Sequence, residues 1–489
     1  MSTTLIKDVD VITVDAQRRI IEDGYVLVDG DRIAAVGDSL TCPSADSVDR
    51  VMSRPGCIIT PGLINLHQHH WYNLFRGLGD GMLLEDWVDN VLLPLGRSMT
   101  NQAMELSSSL AALEMLATGT TCFLNHLVVP SDSERVSAIV EPAAAVGIRQ
   151  IVAKELRHTT ARPLSPRYPI EHRHPRSLEE EIALARDVVT HADGIHEGRV
   201  RVALALETQG NWLLHNATSE ELIFAAAELA SQHNLKITDH CSAGTPWRAI
   251  REYRQLTGRG DVEYLLNLGV LSERFILVHC VWLLDREIEM IAEARASVVI
   301  CPASNAFSAV GVAPLPRLKS AAINIALGSD GPMVNNSIDM VEQMKTAALI
   351  QNVTAYDPAL VTPEFALEAA TINGARALGL ERELGSIEVG KNADLVVFDL
   401  RRPHCSPVHR PVSSLVMSAH GTDAAVVMVD GRVVYEDGRY PTFGDVDSLI
   451  AACRTTAQQI ANSAGLAHAL QGPWQGQQSL QASLLAIDG

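Results

Sequence analysis

PGLINLHQHH, residues 61–70, is an apolar, strand-forming segment that ends in three histidines within four positions. The side chains of a β-strand alternate between its two faces, so His67 and His69 project to the same side. Two neutral imidazoles on one side of a strand can hold one metal ion. A His-x-His pair also arises by chance, so a metal site requires further ligands from the rest of the chain.

The size and charge of the chain narrow the class of protein. At 489 residues it exceeds one typical core, which favours a large barrel with a smaller domain, or about two to three ordinary domains. A net charge of −19 argues against nucleic acid or a membrane as a partner and favours a small-molecule substrate. No secretion signal opens the sequence and no apolar run reaches about 18 residues, so we expect a cytoplasmic protein.

Both ends of the chain carry short alternating apolar runs separated by Asp-Gly turns, a pattern typical of β-hairpins. The turns fall at Asp29-Gly30 and at Asp430-Gly431. We therefore predict one small β-sandwich domain built from both termini, residues 1–60 and 385–489, the latter ending in a helical tail. Residues 61–384 are predicted to form a second domain.

The middle of the chain alternates apolar, β-prone runs with amphipathic helical stretches. One of these helices is predicted to begin after Ser219, a residue type that caps helix N-termini. The eight candidate strands are residues 58–66, 120–126, 148–156, 200–208, 235–241, 275–280, 296–302 and 323–330. Eight β/α units predict a (β/α)8 TIM barrel, whose active site lies at the C-terminal ends of the strands.

Metal-ligand and acid-base residue types stand at the ends of most of these strands. They are His67, His69, His126, Glu207, His240, His279 and Asp330. A single buried histidine is more often a hydrogen-bonded core residue than a ligand. Seven such residues at equivalent positions of one barrel favour a site for a divalent metal ion.

The order HxH, His, His, Asp along the chain resembles that of the amidohydrolase superfamily. The segments TPGLIN before the first pair and GSIEVGKNADLVVFDL after the barrel strengthen the likeness, as do TGTTCF, VHCV, CPASN and GSDGP. The closest resemblance is to the branch of S-adenosylhomocysteine deaminases, guanine deaminases and triazine hydrolases such as atrazine chlorohydrolase. It covers the chain to about residue 440.

This resemblance implies a ligand set and a reaction. His67, His69, His240 and Asp330 would hold one divalent metal ion, zinc or alternatively iron, and His279 would lie beside its water. Such an ion lowers the pKa of its water from about 15.7 toward 7, and Asp330 could accept the proton. The expected reaction is attack on an electrophilic carbon of a small nitrogen heterocycle, releasing ammonia, an amine or chloride. The likeness also implies a homo-oligomer, a dimer or tetramer.

The sequence departs from the deaminase pattern after the fifth strand. There the histidine is normally followed three residues later by a glutamate that carries a proton to the ring nitrogen, whereas this chain has Ala243. Hydrolysis of a cyclic or linear amide is therefore an alternative reaction. A non-catalytic scaffold is a second alternative, against which the retained ligand residues argue.

Glu207, at the end of the fourth strand, has three possible roles. It could bridge a second metal ion held by His240 and His279, or it could replace the missing proton carrier. It could equally be a salt-bridged or solvent-facing glutamate without a role in the reaction. We count it with Asp330 and His279 as a catalytic candidate.

Four residues are predicted to contact the substrate. Trp71 and Trp87 lie in the aromatic-rich loop after the first strand, and flat apolar rings suit a planar heterocycle. His126 and Asn305 follow the second and seventh strands. Core packing explains a tryptophan in such a loop at least as often as ligand binding does.

Overall fold

A computed structural model of the protein describes residues 2–129, 131–158, 176–208 and 218–471. The strands of these residues form two sheets, one of eight strands and one of seven. In chain order they are β1 Thr3–Ile12, β2 Ile20–Asp29, β3 Arg32–Asp38, β4 Arg50–Pro61, β5 Leu63–Gln68, β6 Thr120–His126, β7 Arg149–Glu155, β8 Val200–Leu206, β9 Ile237–Cys241, β10 Phe275–His279, β11 Ser297–Ile300, β12 Ile325–Leu327, β13 Leu395–Asp399, β14 Ala424–Val429 and β15 Arg432–Glu436.

The eight-stranded sheet is the predicted barrel. Strands β5 to β12 are hydrogen-bonded in chain order, and every neighbouring pair is parallel. The first and last strands meet through the Asn65 amide, which donates to Ser329 Oγ at 2.7 Å and accepts from Ser329 N at 3.0 Å. The Asp330 amide also donates to the His67 carbonyl at 3.0 Å. The predicted TIM barrel is therefore confirmed.

The second sheet combines both ends of the chain, as predicted. Its strand order is β15-β14-β13-β4-β1-β2-β3, and only β1 and β4 pair in parallel. Hydrogen bonds join all seven strands into one mixed sheet. The sheet thus brings the N-terminal segment and the segment after the barrel side by side.

The first predicted strand, residues 58–66, divides between the two sheets. Strand β4 ends at Pro61, opposite Leu395 in the mixed sheet, and β5 begins in the barrel at Leu63. At Gly62 a β-carbon would lie 2.0 Å from Thr121 Oγ1, so no other residue fits there without rearrangement. The sequence pattern missed this division because both halves of the run are apolar and buried.

Helices surround the barrel and connect its strands. Those of the described residues are α1 Leu84–Trp87, α2 Leu93–Ser98, α3 Asn101–Ala117, α4 Ser133–Val146, α5 Leu178–Ala192, α6 Glu220–His233, α7 Arg251–Thr257, α8 Asp261–Asn267, α9 Asp285–Ala294, α10 Pro302–Phe307, α11 Leu315–Ser320, α12 Met340–Ala355, α13 Pro363–Ala369, α14 Ile372–Leu378, α15 Pro411–Met417 and α16 Val446–Ser463. Helix α6 begins as predicted, because Ser219 accepts a hydrogen bond from the Leu222 amide. Within the described ranges no helix has both the length and the apolar character needed to cross a membrane.

The barrel interior is packed with small and branched side chains. Leu66, Leu124, Ala153 and Val278 belong to one buried cluster that also includes residues of α14. Such an interior is a core and not a channel, so functional side chains gather at the strand ends. The predicted helical tail is confirmed as α16, whereas the glutamine-rich end after it lies outside the described residues from 472 onward.

A buried ion-pair group joins the two sheets. Arg149 of β7 is 4% exposed and donates to both carboxylate oxygens of Asp394 at 3.0 and 3.1 Å. It also bonds to Asp430, which follows β14. Although burial opposes the charged form, these carboxylates raise the pKa of Arg149 above its ordinary value. Buried charged groups therefore link the barrel to the mixed sheet.

Replacing Arg149 should destabilise the protein strongly, because Asp394 and Asp430 would stay buried without their cation. For Arg149→Met we expect a loss of about 3–5 kcal/mol in the free energy of unfolding. Arg201→Met is a matched control, since Arg201 and its partner Glu383 have side chains 42% and 40% exposed. It should cost less than about 1 kcal/mol. Urea unfolding followed by circular dichroism measures both, and equal losses would contradict a special role for Arg149.

Candidate active site

Five of the predicted strand-end residues lie in two overlapping groups of possible metal ligands at the C-terminal end of the barrel, His67 with His69 and Asp330, and His67 with His240 and His279. His67 Nε2 lies 3.2 Å from His240 Nε2 and 3.7 Å from Asp330 Oδ1. His69 Nε2 lies 3.4 Å from the same Asp330 oxygen. His67 comes from β5, His69 directly follows it, His240 comes from β9 and Asp330 from the segment after β12. The barrel thus assembles side chains that are up to 263 positions apart in the sequence (67 to 330).

The spacing of these atoms fits a divalent cation. In a tetrahedral zinc site with ligands about 2.0–2.1 Å from the ion, neighbouring ligand atoms lie about 3.3 Å apart. Three pairs come close to that value, His67 with His240 at 3.2 Å, His69 with Asp330 at 3.4 Å and His67 with Asp330 at 3.7 Å. In the neutral form of His240, with its Nδ1 proton directed to Glu207, the lone pairs of His240 Nε2 and His67 Nε2 face each other. A cation between them would satisfy both nitrogens.

Burial keeps two of the site histidines neutral, which is the form that binds metals. It lowers the pKa of His69 to about 3 and that of His279 to about 4. His240 differs, because the Glu207 carboxylate outweighs the effect of burial and raises the pKa of His240 to about 9. A cation at Nε2 of His240 would take the place of the proton there.

Asp330 is held in its ionised form by its neighbours. Burial alone would raise its pKa, but a hydrogen bond from Ser304 helps to hold the pKa below its ordinary value. Ser304 Oγ donates to Asp330 Oδ2 at 2.7 Å, and the Gly331 amide donates to Oδ1 at 2.8 Å. The backbone of Asp330 is left-handed, with φ at 58°, a conformation that is uncommon for non-glycine residues.

His279 has one nitrogen engaged by the protein and one directed toward Asp330. Its Nδ1 proton is donated to Asn305 Oδ1 at 2.9 Å. Its Nε2 lies 3.9 Å from Asp330 Oδ2, too far for a direct hydrogen bond. In this tautomer Nε2 is an acceptor, so a water molecule beside Asp330 could donate to it. The predicted position of His279 next to the nucleophile agrees with this geometry.

Glu207 lies beneath the site, between two histidines. Its Oε1 is 2.8 Å from His126 Nε2 and 2.9 Å from His240 Nδ1, and its Oε2 is 3.0 Å from the same His240 atom. The residue is only 2% exposed, which contradicts the solvent-facing alternative. The two histidines hold the pKa of Glu207 below its ordinary value although burial opposes this. Glu207 is thus a buried carboxylate paired with imidazoles.

A pocket with mainly apolar walls opens above the site. Its apolar lining residues are Tyr72, Leu84, Trp87, Val88, Leu92, Val128, Ala243, Val310 and Val334, and its polar ones are His69, Glu207, His240, His279, Ser304, Asn305, Ser308 and Asp330. The polar groups lie together on the side of the predicted ligands. Such a pocket suits a ligand with an apolar body and one reactive polar group.

The four predicted substrate contacts have different positions in the structure. Trp87 and Asn305 line the pocket, and Asn305 also orients His279. His126 is fully buried against Glu207 and is not among the lining residues. Trp71 also lies away from the pocket, because the 3-10 turn His70–Phe75 directs it into the core, where its ring contacts those of Tyr72 and Phe75.

Sequence reasoning missed several residues of this site, among them Tyr72 and Ser304. Tyr72, which lines the pocket, is the neighbour of Trp71 in the aromatic-rich loop. Ser304, which lines the pocket and binds Asp330, lies within the CPASN segment. Both positions belonged to stretches that the sequence had singled out. Neither stretch reveals which of its side chains faces the site, because turns lack the regular periodicity of helices and strands.

The fold and the site together define a metal-dependent hydrolase of the (β/α)8 barrel class. More specifically, the chain belongs to the amidohydrolase family, whose sequence model (Amidohydrolase family) matches residues 58–434. The resemblance found in the sequence is therefore confirmed.

Characterised relatives extend over most of the chain. It is 34% identical to a 5'-deoxyadenosine deaminase of Methanothermobacter thermautotrophicus, over 86% of this chain and 90% of the relative. It is 32% identical to a 5-methylthioadenosine/S-adenosylhomocysteine deaminase of Syntrophobacter fumaroxidans, over 92% of this chain and 96% of the relative. These relatives agree with the branch of the family indicated by the sequence.

Solved structures show the same architecture. An adenosine deaminase from Xanthomonas campestris with bound zinc superposes with a TM-score of 0.83 at 27% identity, covering 94% of this chain and 98% of that one. Atrazine chlorohydrolase from Arthrobacter aurescens complexed with zinc superposes with a TM-score of 0.83 at 25% identity, covering 93% of this chain and 100% of that one. Amidohydrolases of this fold that bind zinc thus include both deaminases and a chlorohydrolase.

The metal content of the purified protein should depend on His67. We expect about one equivalent of divalent cation in the unmodified chain and less than about 0.1 in His67→Ala, because a ligand is lost. His404→Ala is the control, since His404 belongs to a different group of possible ligands, with Cys405 and Asp423. Mass spectrometric metal analysis after dialysis measures both. A cation lost from His404→Ala but kept by His67→Ala would place the metal elsewhere.

Proposed function

We propose that this hydrolase acts on a small nitrogen heterocycle and displaces ammonia, an amine or chloride from an electrophilic ring carbon. The convergence of His67, His69, His240 and Asp330 at the polar side of an apolar pocket carries this proposal. The deaminase relatives and the chlorohydrolase fold support the same substrate class. One divalent cation, zinc in preference to iron, is proposed as the cofactor.

The residues of the site have different roles in such a reaction. A divalent cation bound by the four ligands would supply a nucleophilic water at neutral pH. Asp330, ionised and 6% exposed, accepts the proton of the attacking water at a carboxylate oxygen. His279 Nε2 accepts a hydrogen bond from the same water and orients it, because Asn305 engages the other nitrogen. Trp87 and Tyr72 supply flat rings against which a planar substrate can pack.

The position of Ala243 affects the choice of leaving group. Ala243 lines the pocket at the position where the deaminase pattern has a glutamate, so no carboxylate extends from it toward a ring nitrogen. Glu207 lines the pocket too, but both its oxygens bond to histidines. Chloride leaves as an anion and needs no proton, whereas ammonia does. Ala243 also favours the second candidate function, hydrolysis of a cyclic or linear amide.

Further features of the protein are proposed on family likeness and sequence pattern. We propose that residues 1–60 and 385–489 act as one domain and residues 61–384 as the catalytic domain. The division falls next to Gly62, where the chain passes from the mixed sheet to the barrel. We also propose a cytoplasmic homo-oligomer, a dimer or tetramer, that acts on a small molecule.

Asp330→Asn tests the catalytic proposal. We expect turnover to fall by at least about 10²-fold, because the variant loses the proton acceptor and a ligand charge. Asp31→Asn, in an exposed turn of the mixed sheet, should retain full activity. The assay is release of ammonia, chloride or ring-opened product from 5'-deoxyadenosine, a chlorotriazine and a cyclic amide. Near-normal turnover by Asp330→Asn would remove Asp330 from the mechanism.

Ala243→Glu tests the choice of leaving group. The added carboxylate should raise kcat/KM for ammonia release relative to chloride release by about tenfold or more, because ammonia needs a proton on the leaving group and chloride does not. Ala243→Gln has nearly the same volume but no acid and should not change this ratio. Product analysis on paired amino- and chlorotriazines measures it. Equal ratios in the two variants would show that the proton comes from another group.

A further inference from the structure

We infer that Glu207 and His126 are positioning residues that hold two metal ligands, His240 and His69, in the orientation the cation needs. This inference rests on the cation site of the proposed function. It assigns Glu207 neither to proton transfer nor to a second metal ion. It also assigns His126 a positioning role for the ligands in place of the predicted contact with the substrate.

The first link of this support is between Glu207 and His240. Both carboxylate oxygens of Glu207 lie within 3.0 Å of His240 Nδ1, so rotation of the imidazole would break two contacts. The opposite nitrogen, Nε2, is thereby directed at His67 Nε2, 3.2 Å away. A carboxylate on the far nitrogen fixes the tautomer of a ligand histidine and makes it more basic.

The second link is His126, which serves two ligands from different strands. Its Nε2 proton is donated to Glu207 Oε1 at 2.8 Å, which fixes the carboxylate that fixes His240. Its main-chain carbonyl accepts the Nδ1 proton of His69 at 2.6 Å, which directs Nε2 of His69 toward Asp330. The end of strand β6 therefore supports ligands of both β5 and β9.

The hydrogens of this network are mutually consistent. Thr238 Oγ1 lies 3.4 Å from His126 Nδ1 and can donate to it, which leaves Nε2 of His126 as the donor to Glu207. His240 donates to Glu207 from the other side. The carboxylate thus accepts from two imidazoles, and the hydrogen bonds converge on it from both sides. Glu207 and His126 are 2% and 0% exposed, so water competes little for these bonds.

The same geometry argues against the other two roles of Glu207. A proton carrier needs an oxygen free to face the substrate, but both oxygens are engaged by His240. A ligand that bridged two cations would need to face the point where His67, His69 and Asp330 meet. Glu207 instead contacts the His240 nitrogen on the opposite side of the ring.

Glu207→Gln is the direct test, read by metal affinity in addition to activity. The amide keeps the shape but loses the charge, so we expect the Kd for zinc, from competition with a chromophoric chelator, to rise about 10–100-fold. The absorption spectrum of the cobalt-substituted protein should shift, since His240 is less constrained. His126→Gln, which keeps the main-chain carbonyl but loses the imidazole, should give a smaller change in the same direction.

Glu155→Gln is the matched control. Glu155 is a buried carboxylate at the end of β7 that pairs with Arg157 and contacts none of the proposed ligands. The zinc affinity of Glu155→Gln should equal that of the unmodified protein. Circular dichroism of the metal-free variants checks folding, and Glu207→Asp, which keeps the charge but shortens the side chain, serves if Glu207→Gln does not fold. Glu207→Asp should also raise the Kd for zinc.

The outcomes separate the three roles of Glu207. Unchanged zinc affinity and cobalt spectrum in the Glu207 variants would overturn the inference, and loss of turnover alone would then indicate a proton carrier. Two zinc ions in the unmodified chain and one in Glu207→Gln would overturn it in favour of a bridging ligand. If the unmodified chain binds no cation, the proposed function fails as well. If all variants bind the cation with equal affinity, only the positioning role of Glu207 and His126 is refuted.

Discussion

Two imidazole nitrogens that face each other 3.2 Å apart, His67 Nε2 and His240 Nε2, are the constraint around which the site is arranged. Two lone pairs at that distance repel unless a proton or a cation lies between them. The barrel holds them there because β5 meets β12 through Asn65 and Ser329, and the same junction delivers Asp330 beside His67. The contacts that close the barrel therefore also place Asp330 beside His67.

The proximity of the proposed ligands could be predicted from the sequence because parallel strands bring their C-terminal ends to one rim. Knowing that a histidine ends a strand was enough to place His67, His240 and His279 there. The partner of Glu207 could not be predicted in this way, since it depends on how the ends of β6, β8 and β9 align across the barrel. Trp71 was misjudged for a different reason, because a 3-10 turn follows β5 and its side-chain directions do not continue the strand.

The left-handed backbone at two site residues shows how these positions are maintained. His279 has φ at 71° and Asp330 at 58°, conformations that cost free energy for residues with a β-carbon. Each is held by a side-chain hydrogen bond, His279 by Asn305 and Asp330 by Ser304. Both partners come from helix α10, which follows β11. One short helix thus stabilises the strained residues that flank the position of the nucleophile.

The replacement of a carboxylate by Ala243 and the presence of one at Glu207 have opposite consequences for the pocket. At residue 243 the wall becomes apolar, which lowers the capacity of the site to protonate a substrate and favours apolar ring substituents. At residue 207 the charge lies beneath the ligands, paired with two imidazoles, so its cost of burial is offset within the protein. Glu207 also lines the pocket, but both its oxygens bond to histidines, so we infer that its charge acts on the cation site. A family that uses one barrel for different leaving groups can change its chemistry by such exchanges, because the ligand set stays in place while the proton supply changes.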